Sequence, residues 1–330
     1  MVRAVRFYEC GGPEVLKIET IEVGEPKQDE ARVKIQSIGL NRAESAFRRG
    51  YYLEKAVFPS LLGYEGAGII EAIGSTDSEF KVGDAVCITP TFSMTKYGTY
   101  AESAIVPISS LIKRPPSISE LEGSALWMPY LTAYGMVKNT KAGDAVLITA
   151  ASSSIGLALI QIINRLGGIP IAITRTNLKK DALLKAGAKH VIVTAEENIA
   201  ERTNQITANK GARLIVDPIA GPGVIELADA LGEYGELILY GNLSGKAHET
   251  PFPYRSSMGK GISMSGFFIV KEMADKEKYA AAREFIFSGL KDGSLKPTID
   301  RVFSFDEIVQ AHTYLEESNQ IGKIVVKTNA

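Results

Sequence analysis

From Asp144 onward the chain repeats one unit: an apolar run, a tight turn, and a stretch with helical spacing of its apolar residues. The runs Ala145 to Thr149, Pro170 to Thr174, His190 to Val193, Leu214 to Val216 and Glu236 to Tyr240 are separated by stretches such as Ile155 to Leu166 and Leu178 to Ala186. Parallel strands cannot be joined by a tight hairpin and need a crossover, usually a helix, that covers the sheet face. The pattern therefore predicts an α/β region built on a doubly wound parallel sheet.

This region cannot be the whole protein. The chain has 330 residues, and single hydrophobic cores stop growing at about 250–300. Residues 1 to about 115 alternate β-rich runs, such as Ala31 to Ile38 and Ala67 to Ile73, with turn clusters including Cys10-Gly11-Gly12-Pro13 and Val82-Gly83-Asp84, which predicts a mostly β domain. At Arg114-Pro115-Pro116-Ser117 two prolines bar helix, and the spacing Ser117 to Glu120 predicts a capping box opening a helix through Leu126. After Gly261 the strand–helix regularity breaks, and the end of the chain reads as a helix pair closed by a strand that returns to the first domain. The expected division is 1–120, 121–262 and 263–330.

A 45% hydrophobic, 23% charged composition with formal net charge −1 belongs to a globular protein and offers no basic stripe for nucleic acid. Cys10 and Cys87 are too few for a disulfide framework and suit a reducing compartment, so a cytoplasmic location is expected. No run approaches the ~18 apolar residues of a membrane span, and the first residues lack the apolar core of a signal peptide.

The turn after the first α/β strand reads Ala150-Ala151-Ser152-Ser153-Ser154-Ile155-Gly156 and leads into a helix. A helix start with small residues before it offers free N–H groups to a pyrophosphate, although only Gly156 remains of G-x-G-x-x-G, with Ala151 and Ser153 in the other places. Read alone, the serines could equally be a small-residue cap. At the end of the second strand, where NAD-binding folds place a carboxylate for the ribose 2′-hydroxyl, this chain has Thr174-Arg175-Thr176-Asn177-Leu178-Lys179-Lys180. Arg175 and Lys179 can pair with a 2′-phosphate and Thr174 can add a hydroxyl, which favours NADPH; the competing reading is a solvated helix start.

The chain resembles the medium-chain dehydrogenase/reductase superfamily, in its zinc-free quinone oxidoreductase (zeta-crystallin-like) branch. The marks are Gly39-Leu40-Asn41, Gly50-Tyr51-Tyr52, Gly63-Tyr64-Glu65-Gly66-Ala67-Gly68, Leu131-Thr132-Ala133-Tyr134, Gly241-Asn242-Leu243-Ser244-Gly245 and Gly322-Lys323-Ile324-Val325-Val326. The resemblance implies a Rossmann domain inside a GroES-like catalytic domain, an active cleft between them, and a homodimer made through the last Rossmann strands, near Glu236 to Tyr240 and Ile262 to Phe267. It also implies Tyr52 and Asn41 near the nicotinamide, Thr132 at its carboxamide, Gly241-Asn242 along the ribose and Phe267 over the ring. Thr194 stands where relatives often carry an adenine-facing Tyr, and Ala46 where some carry a pocket Tyr.

Zinc-dependent members bind their metal through a Cys and a His at the places held here by Asn41 and Tyr64, so no metal is expected. His190, His248 and His312 have no ligand-like spacing and read as structural or surface residues. Without a Lewis acid, a conjugated acceptor is the easier substrate, because its oxyanion is delocalised and a few hydrogen-bond donors suffice. Tyr52, Asn41 and Tyr64 are the candidate donors; against this, Tyr52 could wall the pocket, Asn41 hold a turn and Tyr64 pack in the core. Glu65 reads as a bonded structural carboxylate. A quinone is the leading acceptor, with an enone, alkenal or enoyl thioester as alternative; a thioester would want a basic patch, for which Arg42, Arg48 and Arg49 are available unless they form an exposed helix face. A non-catalytic NADPH-binding protein is the remaining reading.

Overall fold

The computed structural model describes residues 1–328 except Thr76. The chain forms two compact units, one from Met1–Pro129 plus the segment from Pro297 onward, the other from Tyr130–Lys296.

The second unit holds a six-stranded parallel sheet in the order His190–Val193, Ile169–Thr174, Ala145–Ile148, Ala212–Asp217, Leu231–Leu239, Ser263–Gly266. The chain builds outward in one direction from Ala145–Ile148, then crosses back to build in the other. That reversal leaves a switch point at the carboxyl ends of Ala145–Ile148 and Ala212–Asp217, where loops diverge and a ligand can enter. The sheet is Rossmann-like, and its central strands are buried on both faces, which is why Ala145–Ile148 reads as an unbroken apolar run. Leu147, Ile171, Ile192, Ile215 and Leu237, one from each of five neighbouring strands, form the core on one face.

Two expectations need correction. The return to the first unit begins at Pro297 rather than Ser263, because Ser263–Gly266 pairs in parallel with Leu231–Leu239 and the long helix Lys276–Asp292 belongs to the same unit. The capping box sits two residues later than the sequence spacing predicts: Ser119 caps Glu120–Gly123, with Glu122 Oε2 accepting from the Ser119 N–H at 3.0 Å. Pro115 and Pro116 keep the preceding backbone out of the helix, and the turn closed by Ile118 N–H on Pro115 oxygen moves its start.

In the first unit a seven-stranded sheet runs Ile299–Ser304, Lys323–Lys327, Glu30–Gly39, Gly66–Ile73, Ala85–Ile88, Leu111–Lys113, with Ser103–Pro107 also paired to Glu30–Gly39. A separate hairpin joins Val2–Arg6 to Lys17–Ile21. The C-terminal strand Lys323–Lys327 pairs antiparallel with Glu30–Gly39, which places Lys323 beside the start of the short helix Arg42–Arg48.

Candidate active site

In the second unit the dinucleotide turn is built by close packing. Ala150 adopts a positive φ of 47°, turning the chain sharply after the strand. Ser153 caps the twelve-residue helix Ser154–Arg165, its Oγ accepting from Gly156 N–H at 3.1 Å. A Cβ at position 156 would lie 2.4 Å from the Ala151 carbonyl oxygen, so only glycine fits there. Ser152, Ser153, Ser154 and Ile155 are half-buried along this turn. Lys179 crosses from beyond the second strand and donates from Nζ to Ser152 Oγ at 3.1 Å, which seats a cation on the serine turn.

Arg175 is exposed at the end of Ile169–Thr174, and Thr174 Oγ1 donates to the Thr176 carbonyl at 3.3 Å. Thr194 is exposed at the end of the neighbouring strand, its N–H bonded to the Thr174 carbonyl at 2.9 Å. Thr174, Arg175, Lys179 and Thr194 thus cluster at one end of the sheet, beside the serine turn. Gly241 packs on Pro218, whose carbonyl oxygen would be 2.7 Å from a Cβ there, and Asn242 Oδ1 accepts from Ala247 N–H at 3.0 Å. Phe267 follows the last strand and lays its ring on Gly135 of the helix Trp127–Val137, where a Cβ would lie 2.7 Å from its Cζ; Thr132 is buried in the same helix. Every cofactor-side residue expected from the sequence except Thr132 therefore lies at or just beyond the carboxyl end of a strand, with Ser154, Ile155 and Gly156 in the first turn of the following helix.

In the first unit the expected donors meet a buried ionic cluster. Asn41 precedes Arg42–Arg48, and Glu44 Oε2 accepts from the Asn41 backbone N–H at 2.6 Å. The Asn41 amide is fully used: Nδ2 donates to the Gly39 carbonyl at 3.1 Å and to Glu44 Oε1 at 3.0 Å, and Oδ1 accepts from Lys323 Nζ at 2.5 Å. Lys323 also donates to Glu65 Oε2 at 2.6 Å, while Glu65 Oε1 accepts from Met128 N–H at 2.9 Å. Glu44, Glu65 and Lys323 are all buried. Burial raises both carboxyls, Glu44 to about 7 against the opposing bonds from Asn41, the Lys323 charge and the Tyr64 N–H. One ammonium thus serves two carboxyl groups in a dry interior.

The aromatic pair sits beside this cluster. Tyr64 is wholly buried, against Tyr52 and Phe92, and its hydroxyl lies 3.4 Å from that of the half-buried Tyr52. Burial raises both phenols above their ordinary range, so both stay neutral hydroxyls at physiological pH. Of the three expected donors, Asn41 and Tyr64 are buried, whereas Tyr52 is half-buried and its hydroxyl bonds that of Tyr64.

Three sequence readings are changed or extended here. Arg42, Arg48 and Arg49 form neither a basic patch nor a free helix face: all three are tied to the helix Ile308–Glu317 and its end, Arg48 and Arg49 through Glu316 and Arg42 through the Glu316 carbonyl and Ser318. Lys323 enters the sequence reading only as part of a closing motif, although a lysine opening the apolar run Ile324-Val325-Val326 is itself a signal of a buried partner. Glu44 is absent from the sequence candidates, and the N-x-x-E spacing from Asn41 is the capping-box signal that finds it.

The donor set does not suit zinc. An amide oxygen already bonded to an ammonium and a neutral buried phenol replace the thiolate and imidazole that the metal prefers, and among the described residues no group of three His, Cys, Asp or Glu could hold a metal ion. The Lys323 ammonium bonds the residue at the place of the lost Cys and the adjoining glutamate.

His312 adds a pH dependence to the same unit. Its Nε2 lies 3.2 Å from the Tyr100 hydroxyl, and burial, with the nearby Arg48 charge, pushes the imidazole down to about 3. Burial alone would raise Glu316, but bonds from Arg49 and Ser45 and the Arg48 charge hold it down to about 2. Unfolding takes up a proton at His312 between about pH 6.5 and 3 and at Glu316 between about 4.5 and 2, so both contribute stability that is lost on acidification. Glu44 acts oppositely, its stabilising share fading as pH rises from about 4.5 to 7, and it offsets His312 across that range. These groups therefore predict nearly flat stability from pH 6.5 to 4.5 and a fall of about 2–3 kcal/mol per pH unit just below 4.5. Denaturant titrations at stepped pH check this, with the slope about halved in His312→Gln; an even decline from pH 6.5 would contradict it.

A Rossmann-like sheet with a cation-lined dinucleotide turn, carried with a β-rich unit holding buried hydroxyl donors, defines a nicotinamide-dependent oxidoreductase. A family model described as alcohol dehydrogenase GroES-like domain matches residues 27–116, and one described as zinc-binding dehydrogenase matches residues 186–326. The chain is 32% identical to the quinone oxidoreductase of Pongo abelii, over 99% of this chain and 98% of that one, and 28% identical to the 2-haloacrylate reductase of a Burkholderia species over the full length of both. The structure of Escherichia coli quinone oxidoreductase complexed with NADPH superposes with a TM-score of 0.90 at 26% identity, covering 98% of this chain and 99% of that one. The chain belongs to the medium-chain dehydrogenase/reductase superfamily, in its quinone oxidoreductase branch.

Proposed function

We propose that the enzyme uses NADPH to reduce a quinone, without a metal. The observation that carries this reading is the Lys179 ammonium resting on Ser152 of the dinucleotide turn, with Arg175 exposed beside it and no carboxylate at the end of the second strand to select a free 2′-hydroxyl. The NADPH-bound E. coli relative supports the same cofactor.

The N–H groups opening Ser154–Arg165 would hold the pyrophosphate, with Gly156 permitting close approach, and Lys179 and Arg175 would hold the 2′-phosphate. Bound NADPH supplies a hydride. Tyr52 would donate a hydrogen bond to the acceptor oxygen, where negative charge grows as hydride arrives. Its raised pKa keeps the hydroxyl neutral, so Tyr52 would act as a hydrogen-bond donor to the oxyanion while water supplies the proton, and the Tyr64 hydroxyl lies 3.4 Å from that of Tyr52. Lys323, Glu65 and Asn41 fix the backbone that presents Tyr64, and so act as positioning residues.

An enone or alkenal fits the same donor arrangement. A coenzyme A or acyl-carrier thioester has less support, since the arginines that could have formed its basic patch are bonded to Glu316 and Ser318. We also propose a homodimer through the edge strand Ser263–Gly266, which pairs on one side only and lies close in sequence to the exposed Phe252, Tyr254 and Met258. Purified protein should consume NADPH, followed by its absorbance, when given 1,4-quinones, with enones compared in the same panel. Binding without turnover across the panel would replace this reading with a non-catalytic one.

A further inference from the structure

The mechanism above leaves one charged group unused. Glu54 lies two residues beyond Tyr52 in the segment that follows Arg42–Arg48, and it is half-buried. Its Oε2 is shielded from solvent and has no hydrogen-bond partner among the described residues. A carboxylate oxygen in that condition is costly to keep, and it favours whatever brings a donor or a positive edge to it. The charge is felt at the reactive pair, since Glu54 contributes to raising both the Tyr52 and the Tyr64 phenols. Among the described residues no arginine or lysine forms an ion pair with it, and Lys323, Arg48 and Arg49 are committed elsewhere, Lys323 to Glu65 and Asn41, and Arg48 and Arg49 to Glu316.

We infer that Glu54 is a specificity-determining residue that turns the acceptor site against anionic acceptors and towards neutral, cationic or donor-bearing ones. This rests on the reading that places the acceptor oxygen at Tyr52. A negative substituent on an acceptor held there meets a fixed negative charge in a partly dry setting, where interactions between charges are several times stronger than in water. A carboxylate-bearing acrylate, the acceptor in the name of the Burkholderia relative, is on this account a poor substrate for the present enzyme. A neutral quinone is a good one.

The test compares kcat/KM for 1,4-naphthoquinone and 1,4-naphthoquinone-2-sulfonate in the parent enzyme, Glu54→Gln and Glu54→Lys. The sulfonate alters the intrinsic reactivity of the ring, but that factor is common to all three proteins and cancels when the sulfonate-to-neutral ratio is compared between them. The ratio should rise roughly tenfold in Glu54→Gln and further in Glu54→Lys. Gln keeps the size and shape of the side chain and breaks no bond at Oε2, so a folded variant is expected. A ratio within about twofold of the parent in both variants, with turnover intact, would overturn the role of Glu54 while leaving the reductase reading in place. Failure of the parent to turn over either quinone would instead remove that reading, and this inference with it.

Discussion

Lys323→Met should unfold with about 3–5 kcal/mol less stability than the parent, the usual consequence of leaving a buried charge without its partner. The ammonium is shielded from water and bonds both Glu65 and Asn41, while its charge also offsets the burial of Glu44. Removing it leaves two carboxyl groups in a dry interior with no cation, and both would move further towards protonation. The effect should therefore be smaller at pH 5 than at pH 8. Pairing the change with Glu65→Gln should recover much of the loss, because the second substitution removes the orphaned charge. Chemical denaturation of the single and double variants reads this directly, and a Lys323→Met protein as stable as the parent would show that the cluster is not ionised as described.

Replacing both Arg175 and Lys179 by Ala should raise KM for NADPH by about tenfold to a hundredfold or more, the scale of one or two charge-assisted bonds to a phosphate. KM for NADH should rise less, by only the share that follows from losing the Lys179 bond to Ser152, since NADH carries no 2′-phosphate. Lys179 also bonds Ser152, so Lys179→Ala alone could loosen the turn for both cofactors. The single Arg175→Ala variant separates the two roles, because Arg175 is exposed and outside the turn. Equal losses with NADPH and NADH in that variant would remove the 2′-phosphate assignment.

Much of the α/β unit was legible because local rules and tertiary packing agree there. Strands buried on both faces are apolar throughout, the connecting helices show their periodicity, and the turn at Ser153 and Gly156 carries its own capping and packing signals. What escaped the sequence depended on contacts far apart in the chain. The edge strand Ser263–Gly266 has only one apolar residue in four, as an edge position allows, so its composition did not mark it and only the family resemblance placed a last Rossmann strand near Ile262 to Phe267. Arg42, Arg48 and Arg49 look like a basic cluster until Glu316, more than 260 residues away, is brought against them. Lys323 and Glu65 find each other across 258 residues.

The candidate site divides in the same way. The cofactor-side residues are written in contiguous motifs, and all but Thr132 gather at one end of one sheet. The acceptor-side candidates in the first unit come from Asn41, Tyr52, Tyr64, Glu65 and Lys323, whose motifs name the residues without saying how they are buried or bonded. Burial bears on that point physically: Tyr64 is enclosed and the Asn41 amide is bonded within the protein, whereas Tyr52 is half-buried, which is why the proposed mechanism uses Tyr52.

The most direct test is a crystal structure grown with NADPH. The account predicts the pyrophosphate on the N–H groups at the start of Ser154–Arg165 and the 2′-phosphate within hydrogen-bonding distance of Lys179, Arg175 or both. A dinucleotide bound away from this turn, or one whose 2′-phosphate meets neither cation, would contradict it.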